Sequence, residues 1–406
     1  MNITVSKRAK IRQFALAYCW VSVLALATPP ALWGQTTVKA EICKVTISTD
    51  GKLAITGDSE RVIRVWDVPN RKLLRAIPDR SKNRNTIPHY AFSADGKFAV
   101  VGNRPGNEIG GIPATTLDPD TLTFWDLAAG VKLRSFELKN EPVLGVALSP
   151  DGKFALSSSI WKMIPRMPNP AEPQRRSWND TIFLVAIRLW DTSTGKLMAM
   201  ISDTNDGWSN PTFSPDGKFF ASYWMGPTPP YGDKQTWAVR RWGTKATPDF
   251  GAKSMAAEFT RMHVNGMAWS PDGKHIAVSH GGLSLWNLET GKLVWTFFAD
   301  REIVRDSMVN SHWPVGSVAF SSDGKRVVAS SSWLMGAPKR RGDGAKSGIL
   351  VIDTATGKKS AGFVGPAEVV RSVSFTSDGT MLLGASVDGL RFWDAQTGQV
   401  AFTLSN

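Results

Sequence analysis

Short apolar runs alternate with polar turn residues along the chain, most clearly between residues 270 and 297. The segment Ser270-Pro271-Asp272-Gly273 predicts a type I turn, because proline presets φ at its second position and glycine accepts a left-handed backbone at its end. The β-branched and apolar runs at 275–279, 283–286 and 293–297 predict the strands that follow. The pattern therefore predicts a small antiparallel sheet.

The same unit occurs seven times along the chain. A four-stranded unit of this kind cannot bury both of its faces alone, so the copies are expected to stack around an axis. The first turns carry an Asp-Gly pair that begins at Asp50, Asp95, Asp151, Asp216, Asp272, Asp323 and Asp378. The third strands end, usually before an Asp, at Trp66, Trp125, Trp190, Trp242, Trp286, Ile352 and Trp393.

The S-P-D-G turn, the strand after it and the Trp-Asp pair together resemble the WD-repeat (tryptophan-aspartate repeat) family of β-propellers. The resemblance extends over essentially the whole chain after about residue 36. It implies an all-β fold, a seven-bladed β-propeller of four-stranded antiparallel blades. Two features depart from the family pattern: the Gly-His pair that usually opens a repeat is missing, and Glu60 stands where the first repeat is expected to carry a structural Asp.

The amino terminus has the features of a secretory signal peptide. Four basic residues between Lys7 and Arg12 precede an apolar run of 14 residues, Phe14 to Ala27, and small residues follow it. The run is shorter than the ~20 apolar residues of a membrane-spanning helix. We expect residues 1–34 to be cleaved, at a position that the sequence leaves open, and the mature protein to be exported to the periplasm or the extracellular space. Membrane attachment is expected only if the leader stays uncleaved.

Residues 35–406 are then expected to form the propeller. The blades are predicted near residues 41–77, 88–136, 142–201, 210–259, 264–298, 315–363 and 369–404. The formal net charge of +13 falls to a moderate excess without the four basic residues of the leader. Outside the leader the chain has one cysteine, Cys43, expected to be a small buried hydrophobe, so stability is expected from packing between blades rather than from a disulfide.

Four of the seven units carry extra residues, and in each they fall between the second and third strands. In an antiparallel meander the first and third turns lie at one end of the blade, whereas the second turn lies at the other. The four insertions are therefore expected on one face of the propeller, here called the insert face. Because binding sites are usually built from loops on a rigid scaffold, we expect the partner to bind there.

Three of the insertions open with a Trp, followed by a Met and a Pro or Ala-Pro. Trp is a favoured interface anchor, and Met adapts to irregular surfaces, so the pattern indicates contact with a protein or peptide. The alternative interpretation is that each Trp holds its loop against its own blade. The residues are Trp161 and Met163, Trp224 and Met225, and Trp333 and Met335.

Two of these insertions are also basic, which is compatible with a partner that has an acidic surface. An ordinary solvated basic loop has the same composition. No nucleic-acid recognition motif is present, and nucleic acid is not an expected partner of an exported chain. The candidate basic residues are Arg175 and Arg176 in the third unit and Lys339, Arg340 and Arg341 in the sixth.

The sequence does not predict an enzyme. Its five histidines lack metal-ligand spacing, and neither a G-x-S-x-G elbow nor a phosphate-binding loop is present, so we expect no catalytic residue, metal or cofactor. One alternative remains, because Leu285 to Trp295 resembles the repeat of pyrroloquinoline-quinone dehydrogenase propellers. That resemblance implies a propeller enzyme with its site in the central channel, either quinoprotein-like or lactonase-like.

Overall fold

A computed structural model describes most of the chain from residue 40 onwards. The chain divides into two units, Met1–Thr37 and Val38–Asn406, and all described residues belong to the second. The signal peptide predicted at residues 1–34 therefore lies outside the described residues. The structure describes residues 40–79, 86–105, 122–138, 141–165, 181–202, 210–225, 237–243, 253–255, 264–280, 282–297, 315–331, 348–364, 370–386 and 389–405.

The described residues form four-stranded antiparallel sheets, each built from four consecutive strands, and the fold is an all-β propeller with these sheets as blades. Sheet 1 contains β1 (Ile42–Ile47), β2 (Leu53–Asp58), β3 (Val62–Asp67) and β4 (Lys72–Pro78). Sheet 2 contains β5 (Thr86–Phe92), β6 (Phe98–Pro105), β7 (Leu122–Asp126) and β8 (Val131–Ser135). Sheet 3 contains β9 (Val143–Leu148), β10 (Phe154–Pro165), β11 (Thr181–Asp191) and β12 (Leu197–Ser202).

Four further sheets follow in chain order. Sheet 4 contains β13 (Thr212–Phe213), β14 (Phe219–Met225), β15 (Trp237–Gly243) and β16 (Lys253–Met255). Sheet 5 contains β17 (Val264–Trp269), β18 (His275–His280), β19 (Gly282–Asn287) and β20 (Leu293–Phe297). Sheet 6 contains β21 (Val315–Phe320), β22 (Arg326–Ser331), β23 (Gly348–Asp353) and β24 (Lys359–Val364). Sheet 7 contains β25 (Ser372–Phe375), β26 (Met381–Ser386), β27 (Gly389–Asp394) and β28 (Val400–Leu404).

The hydrophobic core lies between the sheets rather than within them. The first strands of consecutive sheets contact one another, and β1 also contacts β25. Between sheets 1 and 2, for example, Ile55 and Ile63 pack with Tyr90 and Trp125. Each sheet contributes in this way to a buried cluster with the sheet before it and another with the sheet after it. Burial of apolar area between neighbours therefore supplies most of the stabilisation.

Each first turn is held by a buried hydroxyl group. In sheet 6 the Ser321 hydroxyl donates to Oδ1 of Asp323 at 2.6 Å and accepts the backbone N–H of Arg326 at 3.0 Å. The N–H of Gly324 donates to the carbonyl of Ser321 at 2.9 Å, and Gly324 has φ of 70°. Ser321 is fully buried, so these bonds satisfy a hydroxyl group that water does not reach, while the Asp323 carboxylate is at the surface.

The same hydrogen bonds recur in all seven first turns described, with Thr376 in place of serine in sheet 7. The turn glycines have φ between 68° and 73°, which confirms the left-handed backbone predicted at the Asp-Gly pairs. The hydrogen bond from Ser48 and the backbone N–H of Lys52 lower the pKa of Asp50 below its ordinary value. The carboxylate is thus the form that the turn stabilises.

Outside sheet 4, the third turns are held by the residue that follows the recurring Trp or Ile position at the end of the third strand. In sheet 7 the Asp394 carboxylate accepts the backbone N–H of Thr397 at 2.7 Å and its hydroxyl at 2.9 Å. In sheet 5, Asn287 accepts the same two bonds from Thr290 at 2.9 and 3.0 Å. An uncharged oxygen therefore serves in this turn as well as a carboxylate does.

An outer strand covers the third turn of the next sheet. Trp295 in β20 donates its indole N–H to the carbonyl of Thr354 at 2.8 Å, and a Cβ on Gly357 would lie 2.7 Å from the indole. Between sheets 7 and 1, the Arg71 guanidinium instead lies over the Phe402 ring, 4.4 Å from its centroid. Arg71 occupies the glycine position of its turn and has φ of 52°.

Polar contacts also join the first and last sheets. Glu41 and Arg371 form an ion pair with 2.5 Å between Oε2 and Nη2. The backbone N–H of Val45 in β1 donates to the Ser372 hydroxyl in β25 at 3.2 Å. The fourth strand of sheet 7 is β28, which pairs with β27.

One prediction about the core needs adjustment. Cys43 is half-buried rather than fully buried, and it lies at a register shift of the first strand between Ile42 and Lys44. Among the tryptophans at third-strand ends, Trp286 is half-buried and the side chain of Trp242 lies outside the described residues. The others are at most 6% exposed, namely Trp66, Trp125, Trp190 and Trp393.

The buried hydroxyl of a first turn is expected to contribute measurably to stability. Ser321→Ala removes a donor to Asp323 and leaves the N–H of Arg326 without its acceptor, which should lower the free energy of unfolding by roughly 1–3 kcal/mol. Ser321→Thr should stay close to the unmodified protein, since Thr376 makes the same bonds in sheet 7. Urea denaturation measures both variants, and equal stability of the two would contradict this role.

The contact between Trp295 and the third turn of sheet 6 gives a second prediction. Gly273→Ala should cost about 1 kcal/mol, because its φ is 69° but no atom lies within 4 Å of the added Cβ. Gly357→Ala, at φ of 68°, should cost about 1–3 kcal/mol more because the methyl group meets Trp295. Thermal unfolding of the two variants should separate them, and equal melting temperatures would show that the contact is not tight.

Candidate functional site

In each antiparallel sheet the connection between the second and third strands begins at the end opposite the first turn. Long connections at residues 106–121, 166–180, 226–236 and 332–347 join second to third strands in sheets 2, 3, 4 and 6, and they lie outside the described residues. Their positions in the strand order are those that the sequence predicted.

The opposite end has one long connection that the sequence interpretation left out. Residues 244–252 join β15 to β16 in sheet 4 and lie outside the described residues. In this sheet Gly243 stands in place of the Asp of the third turn and no Thr-Gly pair follows, so the sequence lacks the side-chain acceptor that the other third turns use.

The hairpin of sheet 3 extends beyond the other second turns. Strands β10 and β11 contain 12 and 11 residues, whereas β2 contains 6, and their pairing continues to Pro165 and Thr181. The register shifts between Ile160 and Lys162, so Trp161 is the extra residue of a β-bulge. Bulges redirect a side chain, and Trp161 is 38% exposed on this hairpin.

A buried ionic network fixes the base of this hairpin. Arg188 in β11 donates from both terminal nitrogens to the Glu141 carboxylate, at 2.6 and 2.8 Å. The Ser159 hydroxyl in β10 donates to Glu141 at 2.6 Å and accepts from Arg188 at 2.7 Å. Because Ser159 lies two residues before Trp161, the network holds the strand from which the bulge projects.

Sheet 1 also has ionic groups buried beside its second turn. Asp58 is fully buried, accepts the backbone N–H of Val62 at 2.8 Å and pairs with the Arg64 guanidinium. The Tyr90 hydroxyl donates to the carbonyl of Asp58 at 2.8 Å, and burial raises the pKa of Tyr90 well above its ordinary value. Asp58 thus links the second turn of sheet 1 to the first strand of sheet 2.

Asp58 is a structural residue that sequence reasoning missed. The family pattern directed attention to Glu60, which is exposed, whereas the buried carboxylate lies two residues earlier at the end of β2. The signal was present in the sequence, since Asp58 directly follows an apolar and small-residue strand and precedes the polar segment Ser59 to Arg61. A buried Asp is thus retained in the first sheet, at a different position.

The structure describes only part of the predicted partner-binding set. Besides Trp161, Met163 lies in β10, opposite Phe183, and Trp224 and Met225 end β14. The side chains of these three residues lie outside the described part of the structure. Also outside the described residues are Trp333, Met335, Arg175, Arg176, Lys339, Arg340 and Arg341.

The inner strands present little reactive chemistry. Lys44 in β1 is exposed, although desolvation by the surrounding protein lowers the pKa of its amine. Corresponding positions in other first strands carry small residues such as Gly145, Gly266 and Ser317. Among the described residues, no three His, Cys, Asp or Glu side chains come close enough to hold a metal ion. Nor does the described part of the chain contain a helix long and apolar enough to cross a bilayer.

Comparison with known families identifies two repeats directly. The family model described as WD40 (WD domain, G-beta repeat) matches residues 34–67 and 257–287. The first match contains the Asp50-Gly51 turn and Trp66-Asp67, and the second contains Asp272-Gly273 and Trp286-Asn287. No curated protein matches the sequence. WD40 propellers commonly serve as protein-interaction scaffolds and are typically non-catalytic.

Removal of the Asp58 carboxylate should destabilise the protein strongly. Asp58→Ala leaves the Arg64 charge and the N–H of Val62 without their partner, and we expect a loss of about 3–5 kcal/mol. Asp58→Asn should lose less, because the amide oxygen still accepts from Val62. Glu60→Ala is the control and should change stability by less than about 0.5 kcal/mol. Urea denaturation tests all three, and equal effects at positions 58 and 60 would contradict the assignment.

Proposed function

Because the chain is a WD-repeat β-propeller, we propose that it is an exported, non-catalytic scaffold that binds a protein or peptide partner through the insert face. The observation that carries the proposal is Trp161, an aromatic side chain that is 38% exposed on a projecting hairpin. A tryptophan that served only to pin its loop would be expected to be covered by its own blade. At this position, exposure favours partner contact over the packing interpretation.

Trp161 is suitable as an anchor because the part of the hairpin from which it projects is held in place. The Glu141, Ser159 and Arg188 network holds both strands of the hairpin near the bulge. A preorganised side chain loses less conformational entropy when it binds. The hairpin therefore has the properties of a binding element rather than of a solvated loop.

The remaining candidate residues extend the site around the insert face. Trp224 and Met225 end the second strand of sheet 4, at a position comparable to Trp161 in sheet 3, and Trp333 follows the second strand of sheet 6. We assign Met163 and Met335 the role of adaptable contacts beside these anchors. The basic residues Arg175, Arg176, Lys339, Arg340 and Arg341 favour a partner with an acidic surface.

We further infer that residues 35–406 form a closed ring of seven blades. Support comes from the seven described sheets, each of which shares a buried cluster with its neighbours. The Glu41–Arg371 ion pair and the contact of Arg71 with Phe402 favour closure by sheet 7 against sheet 1. Residues 1–34, with basic residues before an apolar run, support export to the periplasm or the extracellular space.

Affinity capture with matched variants tests the function. The protein, a Trp161→Ala/Trp224→Ala/Trp333→Ala variant and a Leu293→Ala control, which alters an exposed outer-strand residue, are crosslinked in the source cells and their partners are identified. A polypeptide retained by the protein and the control should be lost, or reduced at least about tenfold, with the triple variant. Identical partner lists from all three proteins would remove the insert-face tryptophans from the binding site.

A further inference from the structure

The fourth strand of every sheet is an outer edge with one hydrogen-bonded neighbour. Of the eleven large apolar side chains exposed among the described residues, ten lie on these outer strands, and the other is Trp161. Outer strands therefore account for nearly all of the exposed large apolar side chains that the structure describes. The ten residues are Leu73, Leu74, Val131, Leu133, Leu197, Met198, Met200, Leu293, Val294 and Val400.

Seven of the ten lie on the outer strands of three consecutive sheets. We call β4, β8 and β12, with the lysines at or beside their starts, the outer rim of sheets 1–3. The apolar residues begin directly after the third turns, so they lie at a similar height in each sheet. Isolated exposed apolar residues are ordinary, but here two or three recur on the outer strand of each of three adjacent sheets, and such clustering is typical of an interaction surface.

The charges of this rim are one-sided. Lys72, Lys132 and Lys196 are exposed at or beside the starts of β4, β8 and β12, and none of these strands contains Asp or Glu. The three segments that run from the third turn to the end of the outer strand together contain six basic residues and three carboxylates. The three carboxylates, those of Asp67, Asp126 and Asp191, already accept hydrogen bonds from their own turns.

We propose that the outer rim of sheets 1–3 docks onto an anionic lipid bilayer. Lysine ammonium groups attract anionic headgroups, while adjacent leucine and methionine side chains enter the boundary between headgroups and acyl chains. A bilayer accepts separate apolar side chains on the outside of a ring, whereas a protein partner would need a surface complementary in shape to three successive edges. A second copy of this chain is disfavoured, because it would place basic rims against each other, and edge lysines oppose strand pairing.

The ring supplies an internal control for this proposal. In sheet 5, Lys292, Leu293 and Val294 occupy the positions that Lys72, Leu73 and Leu74 occupy in sheet 1, counted from the residue after the Trp at the end of the third strand. The two sets have closely similar chemistry and exposure, but sheet 5 lies outside the three consecutive sheets. Substitutions at the two places therefore differ mainly in location.

The test is vesicle flotation with the full chain, so that any contribution of residues 1–34 is common to all samples. Vesicles contain phosphatidylglycerol with phosphatidylcholine, or phosphatidylcholine alone. The rim variant is Lys72→Glu/Leu73→Ser/Leu74→Ser, and the control is Lys292→Glu/Leu293→Ser/Val294→Ser. Binding to anionic vesicles should fall at least about tenfold for the rim variant and less than about twofold for the control. Thermal unfolding should show both variants folded, since the altered side chains are exposed.

Several outcomes would overturn the proposal. The first is that the unmodified chain fails to bind anionic vesicles, and the second is that it binds vesicles of phosphatidylcholine alone equally well. The third such outcome is that the rim variant and the control variant reduce binding to anionic vesicles by the same factor. If the unmodified chain binds poly-glutamate but not anionic vesicles, the rim recognises acidic polypeptide and the bilayer assignment is wrong. None of these results affects the insert face, because neither variant alters a residue assigned to it.

Discussion

A buried hydroxyl at the start of each first turn connects local sequence to the architecture of the ring. The hydroxyl of Ser321 or its counterpart is buried, accepts one backbone N–H and donates to one carboxylate at the surface. Without it, the turn between the innermost two strands would bury unsatisfied polar groups. The same turn occurs in every described sheet, so the first and second strands of each sheet are joined in the same geometry. The apolar faces of neighbouring sheets therefore pack in comparable clusters.

Features determined by adjacent residues could be predicted from the sequence, whereas features that depend on distant partners could not. The Asp-Gly turns follow from a few neighbouring residues, so their left-handed glycines were predicted correctly. Asp58 was missed because the family pattern directed attention to Glu60, and its burial and its pairing with Arg64 become visible only in the folded hairpin. Likewise, the exposure of Trp161 depends on a register shift and on the Glu141–Arg188 pair, neither of which is visible in the local pattern.

The ring separates two kinds of surface chemistry. Near the second turns of sheets 1 and 3, ionic networks between buried or half-buried groups hold the bases of the hairpins, and the sheet 3 hairpin leaves an aromatic side chain exposed. On the outside of sheets 1–3, no comparable network is needed, since each outer strand presents short apolar side chains beside a lysine. The first arrangement provides rigid anchors for a shaped partner, while the second suits a partner without fixed shape. A protein with both surfaces would hold a polypeptide at a membrane.

The central claim is that one inter-sheet contact, repeated around an axis, closes the chain into a ring with its long second-turn connections at one end. A crystal structure of residues 35–406 measures this most directly. The claim predicts seven sectors, with β1 packed against β25 and the second-turn connections of sheets 2, 3, 4 and 6 on one face. Six or eight sectors, an open gap between Glu41 and Arg371, or second-turn connections divided between both faces would contradict it.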